Sequence, residues 1–88
     1  MTLKELEQKD DTAWHIVCTL RHNNPERRFA VYEYEGKVEA VGFYSKTERF
    51  IAVYGKSQST GAWLDLPLGE LVIDGKPVHK PENWKEIA

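Results

Sequence analysis

Cysteine is nearly absent. A single thiol, Cys18, stands among 88 residues, so no internal disulfide can staple the chain and its fold must rest on packing. No apolar run approaches the roughly 20 residues that cross a bilayer. The start, Thr2-Leu3-Lys4-Glu5-Leu6-Glu7-Gln8-Lys9-Asp10-Asp11, is polar and acidic. A secretory leader would instead begin with cations and run into about 7–15 apolar residues. There is no Asn-x-Ser/Thr sequon, no internal repeat and no low-complexity tract. These absences, with the lone thiol, lead to the expectation of a cytoplasmic protein with no membrane association. An excess of either charge is missing too: 12 cations face 14 anions, which excludes a generally basic nucleic-acid binder.

What is present suffices for one small core. Hydrophobic residues make up 41% of the chain, with 3 Trp, 4 Tyr and 3 Phe, and so short a chain is expected to form a single domain over residues 1–88.

Thr2 and Glu5 form a candidate capping box, with Leu3 and Leu6 on one face, so the chain is expected to open with a short helix that Asp10-Asp11 breaks. From Ala13 to Leu20 apolar and polar residues alternate, with Trp14, Ile16, Cys18 and Leu20 on one side. This pattern predicts a half-buried strand. His22-Asn23-Asn24-Pro25-Glu26 reads as a turn.

The clearest unit is a hairpin of Arg28–Tyr34 and Lys37–Tyr44 around Glu35-Gly36, where glycine supplies a positive φ. An unbroken register places Tyr34 opposite Lys37, Glu33 opposite Val38, Tyr32 opposite Glu39 and Arg28 opposite Phe43. Arg49–Tyr54 predicts a further strand. Its rival is a short helix capped by Ser45 and Glu48. Ala62–Leu66 predicts a strand cut by Pro67, and Asp74-Gly75 a tight turn between short strands at Glu70–Ile73 and around Val78. The tail Pro81–Ile87 is expected to make one helical turn, pinned by Trp84 and Ile87. Together these elements predict a mainly β fold: a small antiparallel sheet or partly open barrel of five to six short strands with short terminal helices.

Charge is uneven along the chain. Residues 1–20 carry two cations and four anions, residues 21–56 seven and five, and residues 57–88 three and five. The mildly basic middle coincides with the hairpin. In the unbroken register, Phe29, Val31, Val38, Ala40 and Gly42 face inward. The opposite face carries Arg28, Tyr32 and Tyr34 against Glu39, Val41 and Phe43, mixing aromatic bodies with polar tips as protein interfaces do. Arg28 and Phe43 would stack. This face is the candidate surface for a protein partner or for self-association. Ordinary cross-strand packing is the alternative account of the same aromatics.

A single-stranded nucleic acid is the lesser reading. Arg27, Lys46, Arg49 and Lys56 would contact phosphates while aromatics stack on bases, but the interleaved Glu33, Glu35, Glu39 and Glu48 oppose it.

Catalytic and metal chemistry find little support. His15, Cys18 and His22 would share a face only on a helix, and the strand reading separates His15 from Cys18, so no metal site is expected. Gly55-Lys56-Ser57 lacks the earlier glycine of a phosphate-binding loop, since Phe50 stands there. His79 lies among Pro77, Lys80 and Pro81, with nothing to orient a general base. The expectation is a non-enzymatic interaction or regulatory module without a cofactor.

Overall fold

The computed structural model describes residues 1–44, 50–57, 59–69, 71–73, 76–78 and 84–88, with the side chains of 50, 67–69, 71–73 and 76–78 outside the description. Its elements are α1 (Leu3–Lys9), α2 (Asp11–Asn23), β1 (Arg28–Tyr34), β2 (Lys37–Tyr44), β3 (Phe50–Lys56), β4 (Trp63–Gly69), β5 (Leu71–Ile73), β6 (Lys76–Val78) and β7 (Trp84–Glu86). Strands β4-β3-β2-β1-β7 form one antiparallel sheet in that order, and β5 pairs with β6 in a separate two-stranded sheet. The fold is mainly β with minor helix. The main sheet is open and does not close into a barrel.

The opening helix forms where expected. The Thr2 hydroxyl oxygen accepts the Glu5 backbone N–H at 3.1 Å. Asp10 then serves both helices. Its own N–H donates to the Leu6 carbonyl, ending α1, and its Oδ1 accepts the Ala13 N–H at 3.0 Å, starting α2. An aspartate at this position satisfies an otherwise orphaned donor of the new helix.

Residues Ala13 to Leu20, expected as a strand, therefore lie within α2. The alternation there also contains a helical stripe, Ala13-Val17-Leu20, and the cap together with docking on the sheet selects it. Ala13 and Val17 are fully buried, and α2 packs on β2. At the far end the backbone and side-chain amides of Asn24 both donate to the Leu20 carbonyl, at 2.9 and 3.0 Å.

The hairpin forms around Glu35 and Gly36, both at positive φ (51° and 78°), as a two-residue loop compatible with strand twist requires. Its register holds for Tyr34↔Lys37 and Glu33↔Val38 and then breaks, because Tyr32 pairs with Ala40 and not with Glu39. Glu39 is the extra residue of a β-bulge. The bulge turns over the rest of β2. Val41 and Phe43 join Phe29 and Val31 under the helices, while Ala40, Gly42 and Tyr44 turn to the other side. The bulge thus buries the larger apolar side chains against the helices and leaves small ones on the far face.

Two clusters result, one on each face of the main sheet. Leu6, Ala13 and Val17 pack with Phe29, Val31, Val38, Val41 and Ile87 on the helical side. Ala30, Tyr32, Ala40, Ala52 and Trp84 form the other, with Tyr44 and Leu66 against it.

The expected C-terminal helical turn is instead strand β7, paired with β1. Residues 81–83 lie outside the description. As a strand, Trp84 and Ile87 point to opposite faces, because their separation is odd. Each joins a different cluster.

Strand β3 confirms the strand reading of Phe50–Tyr54, whereas Ser45 and Glu48 lie outside the described residues. Pro67 does not end β4. Ala52 pairs with Gly69 and Tyr54 with Asp65, so residues 66–68 bulge opposite Val53. Proline is tolerated there because a bulged edge strand needs no ladder N–H from it. The β5–β6 register, Ile73↔Lys76, fits the expected turn, although Asp74 and Gly75 themselves lie outside the description.

Candidate interaction surface

The bulge at Glu39 divides the six residues of the expected partner-binding face. Val41 is fully buried under the helices, and Phe43 lies on that same side, edge-on to Phe29 with ring centroids 6.1 Å apart. Tyr32 is buried on the opposite side against Trp84, at 5.2 Å between rings. Glu39 is half-buried within the bulge itself. Only Arg28 and Tyr34 remain exposed on the helix-free face, Tyr34 with 43% of its surface accessible. The expected Arg28–Phe43 stack does not form. The Arg28 guanidinium lies 4.7 Å from the Tyr44 ring and its Nε donates to Glu86, while Arg27 covers Phe43 at 4.6 Å.

The cations proposed for phosphate contact are separated as well. Arg27 lies over Phe43 on the helical side. Lys56 is bound to Asp10 at 2.8 Å and lies 5.2 Å from the centre of the Trp63 ring. Lys46 and Arg49 lie outside the described residues.

The helical state of Asp11–Asn23 removes the reason for separating His15 from Cys18. Even so, His15 is exposed beside Asp11, at 3.8 Å, and no group of three metal-ligating side chains occurs among the described residues. No described helix is long and apolar enough to cross a membrane.

Further polar contacts join neighbouring elements. Glu33 sits on the helical face of β1 with only 10% of its side chain exposed, and its carboxylate meets Lys9 of α1 at 3.0 Å and Lys85 of β7 at 3.8 Å. Tyr54 and Asp65 stand opposite each other on β3 and β4. The Asp65 carboxylate accepts the Tyr54 hydroxyl proton and places negative charge beside it. Both effects, with a small contribution from burial, raise the Tyr54 pKa above its usual 10.

The two borders of the sheet differ. The outer side of β7 is occupied by the chain's own first residue: the Met1 ammonium donates to the Glu86 carbonyl at 3.1 Å, and the Ala88 N–H donates to the Met1 carbonyl at 2.8 Å. The outer side of β4 carries no strand among the described residues. Its hydrogen-bonding groups can be assigned. Ser57 donates to the Ala62 carbonyl at 2.8 Å at the start of the β3–β4 ladder. The register then runs without a break through Lys56↔Trp63, Gly55↔Leu64 and Tyr54↔Asp65. Alternation along an antiparallel pair turns the backbone groups of Ala62 and Leu64 toward β3 and those of Trp63 and Asp65 outward.

Leu64 on this strand is 51% exposed, the most accessible large apolar side chain described. It stands on the helix-free face, in a cross-strand row with Gly55, Ala40, Tyr32 and Trp84. The sequence reading had Ala62–Leu66 as a strand but did not offer it as a candidate surface. Its signal was present in Ala62–Leu66, where Asp65 is the only charge, because natural edges are commonly guarded by lysines.

Comparison with protein-family models, curated proteins and solved structures finds no match for this chain. The fold and its borders thus define a class only: a helix-backed antiparallel sheet with one border occupied by Met1 and, among the described residues, no strand on the outer side of the other.

Proposed function

We propose that this chain is a non-enzymatic interaction module that binds protein by adding a strand to the outer side of β4. One observation carries the reading: Trp63 and Asp65 turn their backbone groups outward on an edge strand whose Leu64 is half-exposed and whose only charge between 62 and 66 is Asp65. An extended segment laid there gains main-chain hydrogen bonds from these residues and apolar contact from Leu64 and Leu66. The opposite border offers no such opportunity, since Met1 occupies it. The hairpin residues Arg28 and Tyr34 lie on the same helix-free face as Leu64 but on β1, with β2 and β3 between them and the β4 edge. A cytosolic place of action suits the single half-buried thiol, Cys18.

The test is affinity capture from native cell extract, with and without nuclease, using the wild-type chain, Leu64→Lys and Tyr34→Ala. The expected result is nuclease-resistant capture of a protein, lost in Leu64→Lys and retained in Tyr34→Ala. Capture abolished by nuclease would favour the single-stranded nucleic-acid reading, and capture indifferent to Leu64 would move the interface away from β4.

A further inference from the structure

We infer that the strand received by β4 is the β4 of a second copy of this chain, paired antiparallel about a two-fold axis that passes beside Leu64. The inference rests on the edge reading above and identifies its partner.

A two-fold axis normal to the sheet keeps every residue on its own face, so only residues that share a face can stand opposite one another. The stretch is short, and four centres are available. Centring on Trp63 would extend the pairing to Gly61, whose φ of 72° is incompatible with a strand. Centring on Asp65 sets two carboxylates against each other and places Trp63 opposite Pro67, which has no N–H to give. Centring on Leu66 makes Pro67 the partner of Asp65 and falls inside the bulge.

Centring on Leu64 avoids all of these conflicts. Trp63 then stands opposite Asp65 of the second copy on both sides of the axis. These are the residues whose backbone groups face outward, so each pair can exchange reciprocal hydrogen bonds. Ala62 meets Leu66 of the other copy, and Leu64 meets its own counterpart, hiding the most exposed apolar side chain described.

Charge supports the same register. Trp63, Tyr54, Asp65 and Lys56 lie on the helical face of the sheet, and the Lys56 ammonium stands 5.2 Å from the centre of the Trp63 ring. A carboxylate on the next strand, about 4.8 Å further along the row, approaches this cation-bearing tryptophan. The row therefore reads Lys56 and Trp63 of one copy, then Asp65 and Tyr54 of the other, and the axis repeats it in the opposite sense. An interface built from one patch meeting itself closes as a dimer and leaves no further β4 edge for growth.

The experiment measures mass against concentration for the purified chain by light scattering and sedimentation, alongside cysteine cross-linking in a Cys18→Ser background. Across the axis Leu64 would meet itself as a non-hydrogen-bonded pair, with Cα atoms about 4.5 Å apart, within disulfide reach. The expected results are a dimer, rapid oxidation of Leu64→Cys to a covalent dimer, no comparable product from Tyr34→Cys, and at least tenfold weaker association of Leu64→Lys. The cross-linking arm holds even where Leu64→Lys compromises folding. A monomer at every concentration would overturn the second copy while leaving edge binding intact, provided that Leu64-dependent capture of another protein persists. A dimer that Leu64→Lys does not weaken, and that Leu64→Cys does not lock, would overturn the register and the edge reading together.

Discussion

The carboxylate of Asp10 meets the ammonium of Lys56 at 2.8 Å while its other oxygen accepts the Ala13 N–H that opens α2. One residue therefore closes α1 through its backbone N–H, and its side chain opens α2 and fastens the helices to β3. Both groups are largely shielded, with side chains 15% and 21% exposed, so water screens the pair less than it would a surface contact.

The two roles of Asp10 separate by substitution. Asn is as good a cap as Asp, so Asp10→Asn keeps the helix start and weakens only the ion pair. Asp10→Ala loses both, and the cap alone is worth about 1 kcal/mol. Urea denaturation is expected to rank wild type above Asp10→Asn and Asp10→Asn above Asp10→Ala. In a Lys56→Met background the first of these differences should shrink and the second should remain.

Tyr54 gives the sheet a response to alkali. Its folded pKa is raised above the usual 10, chiefly by its hydrogen bond to Asp65. The contact therefore stabilises the fold fully below the unfolded pKa, and this stabilisation is lost as pH rises through the higher folded value. Asp65→Asn removes the neighbouring negative charge and should bring Tyr54 ionisation down toward the ordinary value. Difference titration of phenolate absorbance, with Tyr54→Phe to assign the signal, measures this shift. No change on Asp65→Asn would show that the carboxylate does not set the Tyr54 pKa.

The bulge at Glu39 is open to a direct test. Deleting this one residue sets Val38 beside Ala40, still opposite Glu33 and Tyr32, so Val38, Val41 and Phe43 keep the helical side and the strand loses only its irregularity. Burial of Val41 and Phe43 on that side contributes about 3–6 kcal/mol, a large part of the stability of a domain this size. The deletion variant is therefore expected to keep a cooperative thermal transition in circular dichroism, whereas Val41→Asp, which sets a charge in the helical core, should lose it. Loss of the cooperative melt in the deletion would mean that the pairs on either side of Glu39 do not carry the faces.

Several elements were legible because their signals are local. Thr2 and Glu5 marked a helix start, and Glu35-Gly36 fixed a two-residue loop. The run Phe50–Tyr54 had the β-branched and aromatic character of a strand. The segment from Ala13 to Leu20 misled because its residues satisfy two periodicities, and the decisive cap lies outside it, at Asp10. The tail misled because one helical turn and a three-residue edge strand look alike until a neighbouring strand needs partners. Here β1 supplied that need, and the Ile87 N–H donates to the Phe29 carbonyl at 2.7 Å.

The candidate surface shows the same division. The sequence named the exposed ends of the hairpin face, Arg28 and Tyr34, but not the exchange of Val41 and Phe43 to the helical core, because a bulge leaves no fixed residue signature. It also carried the weakly charged stretch around Leu64, although only the strand order made that stretch an edge.

Composition and local pattern by themselves determined that this chain builds a small, mainly β fold held without disulfides, with a tight turn at Gly36 and strands on either side. Tertiary structure decided which face each residue of β2 occupies, which segment borders the sheet, and where the helices dock. The physical reason is range. Turn geometry and caps act within a few residues, whereas the choice of face and edge is settled by which large apolar side chains can be hidden together, and that sum runs over residues far apart in the chain.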